Sequence, residues 1–246
     1  MKFLKRLVIF LFFIPIVTSA QKNELMLSLS AGISSPLGDF TSTEYVIDDD
    51  GNINNSGQFA KLGGAFDFSL DYRLGYYLGF AGRIMGGTNG VDTKAYSDAL
   101  NSILKDNSNL EATVASKGWG NVGFLAGAYF VIPSNQFYFD LRIMAGYIDL
   151  FSPSIRYYIT DTETEEEALY VSEKYSAGGF AYDLGIGVKY MFSSNKFISL
   201  NGDYIGAKVQ KSNIKTINPI SKEDEFVDMD VNYQNITVTL GIGYIF

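Results

Sequence analysis

Ile236-Thr237-Val238-Thr239-Leu240-Gly241-Ile242-Gly243-Tyr244-Ile245-Phe246 closes the chain, and its beat decides the fold. Ile236, Val238, Leu240, Ile242, Tyr244 and Phe246 alternate with Thr237, Thr239, Gly241, Gly243 and Ile245. A period of two belongs to a strand with one apolar face, because successive side chains point to opposite sides of the pleat. The same beat runs through Phe180, Tyr182, Leu184, Ile186, Val188, Tyr190 and Phe192, set against Ala181, Asp183, Gly185, Gly187, Lys189 and Met191. It runs again through Ala60, Leu62, Gly64, Phe66, Phe68 and Leu70, set against Lys61, Gly63, Ala65, Asp67, Ser69 and Asp71. Weaker copies occupy 25–33, 77–86, 119–132, 137–149 and 197–209, which makes eight strands. Their lengths, about nine to thirteen residues, suit tilted strands that cross hydrocarbon. Within 121–131 both faces are apolar, and the pattern does not say which points where.

The connections sort into two kinds in strict alternation. Long segments fall at 34–58, 87–118, 150–179 and 210–230, and short ones at 72–76, 133–136 and 193–196. Pro133-Ser134-Asn135-Gln136 and Ser193-Ser194-Asn195-Lys196 are turn sequences. Such alternation gathers the long loops at one end of an up-and-down meander and the turns, with both termini, at the other. In a barrel of the outer membrane the long loops face outward and the turns face the periplasm.

What occupies the polar face separates a membrane barrel from a soluble one. A soluble eight-stranded barrel turns its apolar face inward and covers its outside with Lys and Glu. Here the polar face carries mostly Gly, Ala, Ser, Thr and Asn with a few charges: Lys61, Asp67, Arg83, Asp140, Arg142, Asp183, Lys189 and Asp203. Small residues fit a narrow lumen, and mixed charges can pair inside it. They are expected to form a structural salt-bridge network rather than a relay path. Tyr72, Tyr76, Tyr77, Phe137, Phe139, Phe192, Phe197, Tyr244 and Phe246 cluster where strands meet the short turns and read as an aromatic girdle, with Trp119, Tyr147, Phe180 and Tyr233 as the opposite belt.

Lys2, Lys5 and Arg6, the apolar run 7–17 and Thr18-Ser19-Ala20 read as an export signal over 1–20, so a barrel domain is expected over 21–246. Cleavage removes three cations and no carboxylate, which takes the net charge from −8 to −11. That sign excludes nucleic acid as a partner, since phosphates demand a basic surface. With no Cys there are no disulfides and no thiol catalysis, and with no His there is no imidazole base and no His-ligated zinc. No cofactor is expected.

On the export signal, the eight alternating strands and the last strand ending on Phe246, the chain resembles the outer-membrane β-barrel superfamily. Its Gly-rich and Tyr-rich strands are similar to the PorT-like and OmpA- or OmpX-like small barrels. The resemblance covers essentially all of 21–246 and implies a closed antiparallel β-barrel, with outer-membrane lipid and the barrel-assembly machinery as partners. It also implies that the terminal strand, with Tyr244 and Phe246, is the assembly signal. No peptidoglycan-binding domain is expected. Barrel enzymes of this size, which modify lipid A or cleave proteins, use a His base that this chain lacks, so an enzyme is not expected.

Asp48, Asp50 and Asn52 lie in an oxygen-rich run of the kind Ca²⁺ favours, but Gly51 stands at the fourth position rather than the sixth of an EF-hand loop, so a solvated turn is the preferred reading. Glu163, Glu165, Glu166 and Glu167 read as a solvated loop face. Between Asp92 and Asn107, Tyr96, Ala99, Leu100, Ile103 and Leu104 give a helix one apolar face, capped by Asp92 and expected to fold down as a lid or to meet a partner. The expected function is a non-enzymatic barrel acting through surface loops or an envelope assembly with a protein partner. A small transporter or binder of apolar molecules, as in OmpW-like barrels, is the alternative, and a diffusion pore is a third.

Overall fold

The computed structural model describes residues 24–44, 46–47, 53–54, 57–104, 109–172, 174–217 and 224–246. In chain order the strands are β1 (Glu24–Pro36), β2 (Val46–Ile47), β3 (Ile53–Asn54), β4 (Ala60–Arg73), β5 (Leu78–Val91), β6 (Leu110–Ser116), β7 (Trp119–Ser134), β8 (Phe137–Phe151), β9 (Ile155–Asp161), β10 (Glu167–Val171), β11 (Ser176–Met191), β12 (Lys196–Ile217) and β13 (Asp224–Ile245). A helix, α1 (Thr93–Leu104), and a 3-10 turn at Gly38–Phe40 lie in the long connections.

Eight of the strands close into an antiparallel barrel in the order β1, β4, β5, β7, β8, β11, β12, β13. The seam is β1 against β13, from Met26 opposite Ile245 to Pro36 opposite Asn235. Closure pairs the backbone groups that an open edge would leave bare, which matters wherever no water can reach them. The connection expected at 133–136 is tighter than the sequence suggests. Only Asn135 and Gln136 separate β7 from β8, and Asn135 takes a left-handed φ of 54°, a conformation its short polar side chain tolerates.

Alternation holds around the ring. On β13, Ile236, Val238, Leu240, Ile242, Tyr244 and Phe246 are exposed, Leu240 at 69%, while Thr237 and Thr239 are buried. On β7, where the pattern was silent, Val122, Phe124, Phe130 and Ile132 point outward and Leu125, Tyr129 and Val131 inward. A continuous apolar band around the outside is what lipid solvates and water does not.

Most of the expected girdle, including Tyr76, Tyr77, Phe137, Phe139, Phe192, Tyr244 and Phe246, lies on the outer face at the turn end. Phe197 does not: it is buried inside the barrel, because it shares the inward parity of Ser199, Asn201 and Asp203 on β12. In the opposite belt Tyr147 and Phe180 are on the outside, but Trp119 and Tyr233 are buried within.

The long connections carry structure of their own. Strands β12 and β13 run on past their neighbours as a two-stranded ribbon with a register shift between Lys211 and Ile214. β6, from one loop, pairs with β9 from another, and β10 completes a three-stranded sheet. α1 packs on this sheet, with Tyr96, Leu100 and Leu104 buried among Phe59, Ala112, Val114 and Tyr157. Asp92 accepts the Ala95 N–H at 3.1 Å and caps the helix, as its position implies. The Asn101 side chain binds both backbone groups of Ala112, and Ser97 Oγ accepts the Val114 N–H at 2.9 Å, so the helix covers the outer edge of β6. The apolar face of α1 is therefore not left open for a partner, since a sheet built from two loops, with Phe59 beside it, buries that face.

Candidate functional site

Inward-facing side chains fill the barrel in layers. At the loop end the turn at Gly38–Phe40 places Phe40, fully buried, in the mouth, 5.0 Å from the Tyr233 ring and 5.6 Å from the Trp119 ring. Trp119 Nε1–H donates to the Gln58 carbonyl at 3.1 Å. Below this aromatic plug, Ser34, Asn89 and Asn235 join through side-chain hydrogen bonds of 3.0 to 3.3 Å.

The next layer is ionic. Asp183, Arg83, Asp203, Arg142, Asp140, Lys189 and Asp71 form one chain in which acid and base alternate. Arg83 lies 3.0 Å from Asp183 and 3.1 Å from Asp203, Arg142 lies 2.9 Å from Asp203 and also pairs with Asp140, and Lys189 lies 2.7 Å from Asp140 and 3.1 Å from Asp71. Asp67 hangs from Arg83 at 3.9 Å and accepts the Ser69 hydroxyl at 2.8 Å. Because each cation is shared by at least two carboxylates, three bases hold five acids in place. Arg83 on β5 meets acids on β11 and β12, and Lys189 on β11 meets Asp71 on β4, so these bridges cross the lumen from wall to wall. A cavity beside Asp67 and Arg83 measures about 10 Å³, room for about one water.

Glycine makes this packing possible. A Cβ on Gly185 would collide with Asp203 Oδ1, and one on Gly187 would lie 2.8 Å from both Asn201 Oδ1 and Asp140 Oδ1. The small residues on the inner face of β11 are the space that the charged side chains occupy.

Of the eight charges expected in the lumen, Asp67, Arg83, Asp140, Arg142, Asp183, Lys189 and Asp203 come together there. Lys61 does not. A register shift between Lys61 and Gly63 reverses the parity of β4, so Ala60 points inward and the Lys61 side chain, 57% exposed, pairs with Asp92 at 3.2 Å outside. Asp71 was missed as a member although it stands on the polar face with Asp67. The buried pair Arg73–Glu24 at 3.0 Å, nearer the turn end, was missed too, and parity alone could have found it. Asp48, Asp50 and Asn52 lie outside the described residues. Glu163, Glu165 and Glu166 are exposed in the turn between β9 and β10, and Glu167, also exposed, opens β10. The Tyr244 and Phe246 rings meet at 4.7 Å, tilted by 58°, on the outer face, and Phe246 N–H donates to Leu25 O across the seam at 2.8 Å.

No curated protein matches the chain. Among solved structures it is similar to the outer membrane protein OprG from Pseudomonas aeruginosa, at 12% identity over 94% of this chain and 99% of that one, with a TM-score of 0.55. It is similar also to a major outer membrane protein from Thermus thermophilus, at 13% identity over 92% of this chain and 100% of that one, TM-score 0.45. Ail, the attachment invasion locus protein of Yersinia pestis, matches at 15% identity over 92% of this chain and 99% of that one, TM-score 0.44. At these identities the likeness concerns the fold alone. The family pattern described as outer membrane protein beta-barrel domain matches residues 7–246. A closed eight-stranded ring, an apolar outside, a polar interior and a match over almost the whole chain leave one conclusion: the protein is an outer-membrane β-barrel and belongs to the outer membrane protein beta-barrel domain family.

Proposed function

We propose that this barrel is a non-enzymatic, non-conducting anchor that holds the α1 subdomain and the β12–β13 ribbon on the outer side of the membrane for contact with a protein partner. The observation that carries this reading is the lumen, crossed by Arg83 and Lys189 bridges and stopped at its mouth by Phe40, Trp119 and Tyr233. An eight-stranded ring is just wide enough for its own side chains, and here they use that width. The sequence argues against acid–base chemistry through the absence of His and Cys. A transporter of apolar molecules needs a path that the aromatic plug and ionic chain occupy.

In this reading residues 1–20 direct export, both barrel ends of the chain lie in the periplasm, and the assembly machinery reads the last strand with Tyr244 and Phe246. The structured loops face outward, with Leu169 and Val171 exposed on β10. Because the natural chain lacks Cys, Leu169→Cys offers a single thiol for labelling. A membrane-impermeant maleimide should label it in intact cells. Labelling only after lysis would reverse the orientation. Planar bilayers holding the purified protein should show no conductance steps, and steady channels would remove the non-conducting reading. For the interaction role, deletion of the gene should lower adhesion or secretion, and complementation with L169S/V171S should restore the folded barrel but not that phenotype.

A further inference from the structure

A cavity of about 530 Å³ opens at the loop end of the barrel wall. Its floor is one row across four neighbouring strands: Thr88 on β5 faces Gly120 on β7, Gly120 faces Phe151 on β8, and Phe151 faces Ser176 on β11. Four residues further along the same strands the facing row is Ile84, Phe124, Tyr147 and Phe180, all exposed on the outside of the barrel. Between the two rows Asp149 interrupts the apolar band. The cavity thus lies just beyond the hydrocarbon, where lipid headgroups lie and where amphipathic rings settle.

Two cations from different loops stand over this row. Lys117 precedes β7 and Lys174 precedes β11, and both are exposed and line the cavity. Three other lysines at this end have carboxylates: Lys61 has Asp92 at 3.2 Å, Lys94 has Asp98 at 2.8 Å and Lys208 has Asp230 at 3.1 Å. Among the described residues, neither Lys117 nor Lys174 has one. In a chain of net charge −8, whose long-range field repels anions, a site for an anion must gather its cations locally, and this cavity does so. Trp119 and Tyr175, with ring centroids 6.5 Å apart, close the cavity toward the barrel mouth, where the buried Trp119 ring packs on Phe40.

We propose that this cavity binds a phosphate-bearing polar group at the level of the lipid headgroups, with Lys117 and Lys174 on the phosphate oxygens. The phosphate belongs either to a membrane lipid or to a soluble phosphate ester, and the chemistry of the cavity is the same for both.

Trp119 is the protein's single tryptophan, so its emission reports occupancy without a label. The folded full-length protein in phosphatidylcholine vesicles is compared with the same protein in vesicles that also hold phosphatidic acid. In a parallel arm, glucose 1-phosphate and inorganic phosphate are titrated into the phosphatidylcholine sample. A saturable change with phosphatidic acid alone assigns the site to lipid, and one with glucose 1-phosphate as well assigns it to phosphate esters in general. K117A/K174A should raise the half-saturating concentration about thirty-fold, two lysines at about 1 kcal/mol each and about 1.4 kcal/mol per decade. K117R/K174R should bind within about threefold of the natural chain, and Lys211→Ala, remote from the cavity, should change nothing. Heat-modifiable gel migration confirms that each variant is folded. No response to any phosphate, or a response that K117A/K174A leaves intact, overturns the proposal.

Discussion

Replacing Arg83 by methionine keeps an unbranched apolar stem and removes the charge from the centre of the ionic chain. Three carboxylates feel the loss, but not equally. Asp203 keeps Arg142 at 2.9 Å, and Asp67 keeps the Ser69 hydroxyl at 2.8 Å. Asp183 is fully buried, and among the described residues its one cation is Arg83 at 3.0 Å. Breaking a buried pair by removing one partner costs about 3–5 kcal/mol, because the survivor is left charged and dry. R83M should therefore lose about that much. Adding Asp183→Asn removes the stranded charge and leaves a neutral amide with unmet hydrogen bonds, a residual of about 1–3 kcal/mol, so R83M/D183N should be more stable than R83M. Equilibrium urea unfolding of the barrel in phosphatidylcholine vesicles, read by gel migration of folded and unfolded bands, measures each difference. If R83M lies within about 1 kcal/mol of the natural chain, or the double variant gains nothing over R83M, then the lumen charges do not stabilise the barrel as pairs.

Leu240→Arg puts a cation on the lipid face of the last strand and should cost about 2–4 kcal/mol if the site is near the midplane, whereas unimpaired insertion into vesicles would place that face elsewhere. Phe40→Ala empties the barrel mouth and should cost about 3–5 kcal/mol, with red-shifted Trp119 emission as water enters, and unchanged emission would contradict the plug. Asp92→Ala should loosen α1 by about 1 kcal/mol, seen as faster amide exchange across 93–104. The Ala95 N–H, and then Lys61, hold the Asp92 carboxyl below its ordinary 3.8. The cap's contribution is thus present above that value and fades as pH falls through the lowered one. Protection of α1 should drop in acid in the natural chain and stay level in D92N.

How far the sequence reached can be seen strand by strand. The lipid face of β13, the polar face of β11 and the alternation of turns with loops were legible because a strand's side-chain period is a local property that needs no knowledge of neighbours. The helix and its Asp92 cap were legible for the same reason. Where locality failed, so did the reading. Spacing alone puts Lys61 in the lumen, because the register shift in β4 depends on its partner strand β5 and leaves no mark in the spacing. Phe197, Trp119 and Tyr233 look like girdle residues in the sequence because an aromatic ring near a strand end suits either side of the wall, and only the parity of the closed ring chooses.

The ionic chain shows the same division. Its residues could be named from the polar face, but Arg83 stands 100 positions from Asp183 and 120 from Asp203, and no pattern in sequence pairs them. The sheet of β6, β9 and β10 joins two loops, and the 530 Å³ cavity exists only where β5, β7, β8 and β11 meet beneath the same two loops. Period, turn chemistry and composition, which act between near neighbours, determined that this chain is a barrel and which side of it meets lipid. Closure of the ring, which sets partners across the lumen and brings distant loops together, decided that the barrel is filled and what stands at its rim.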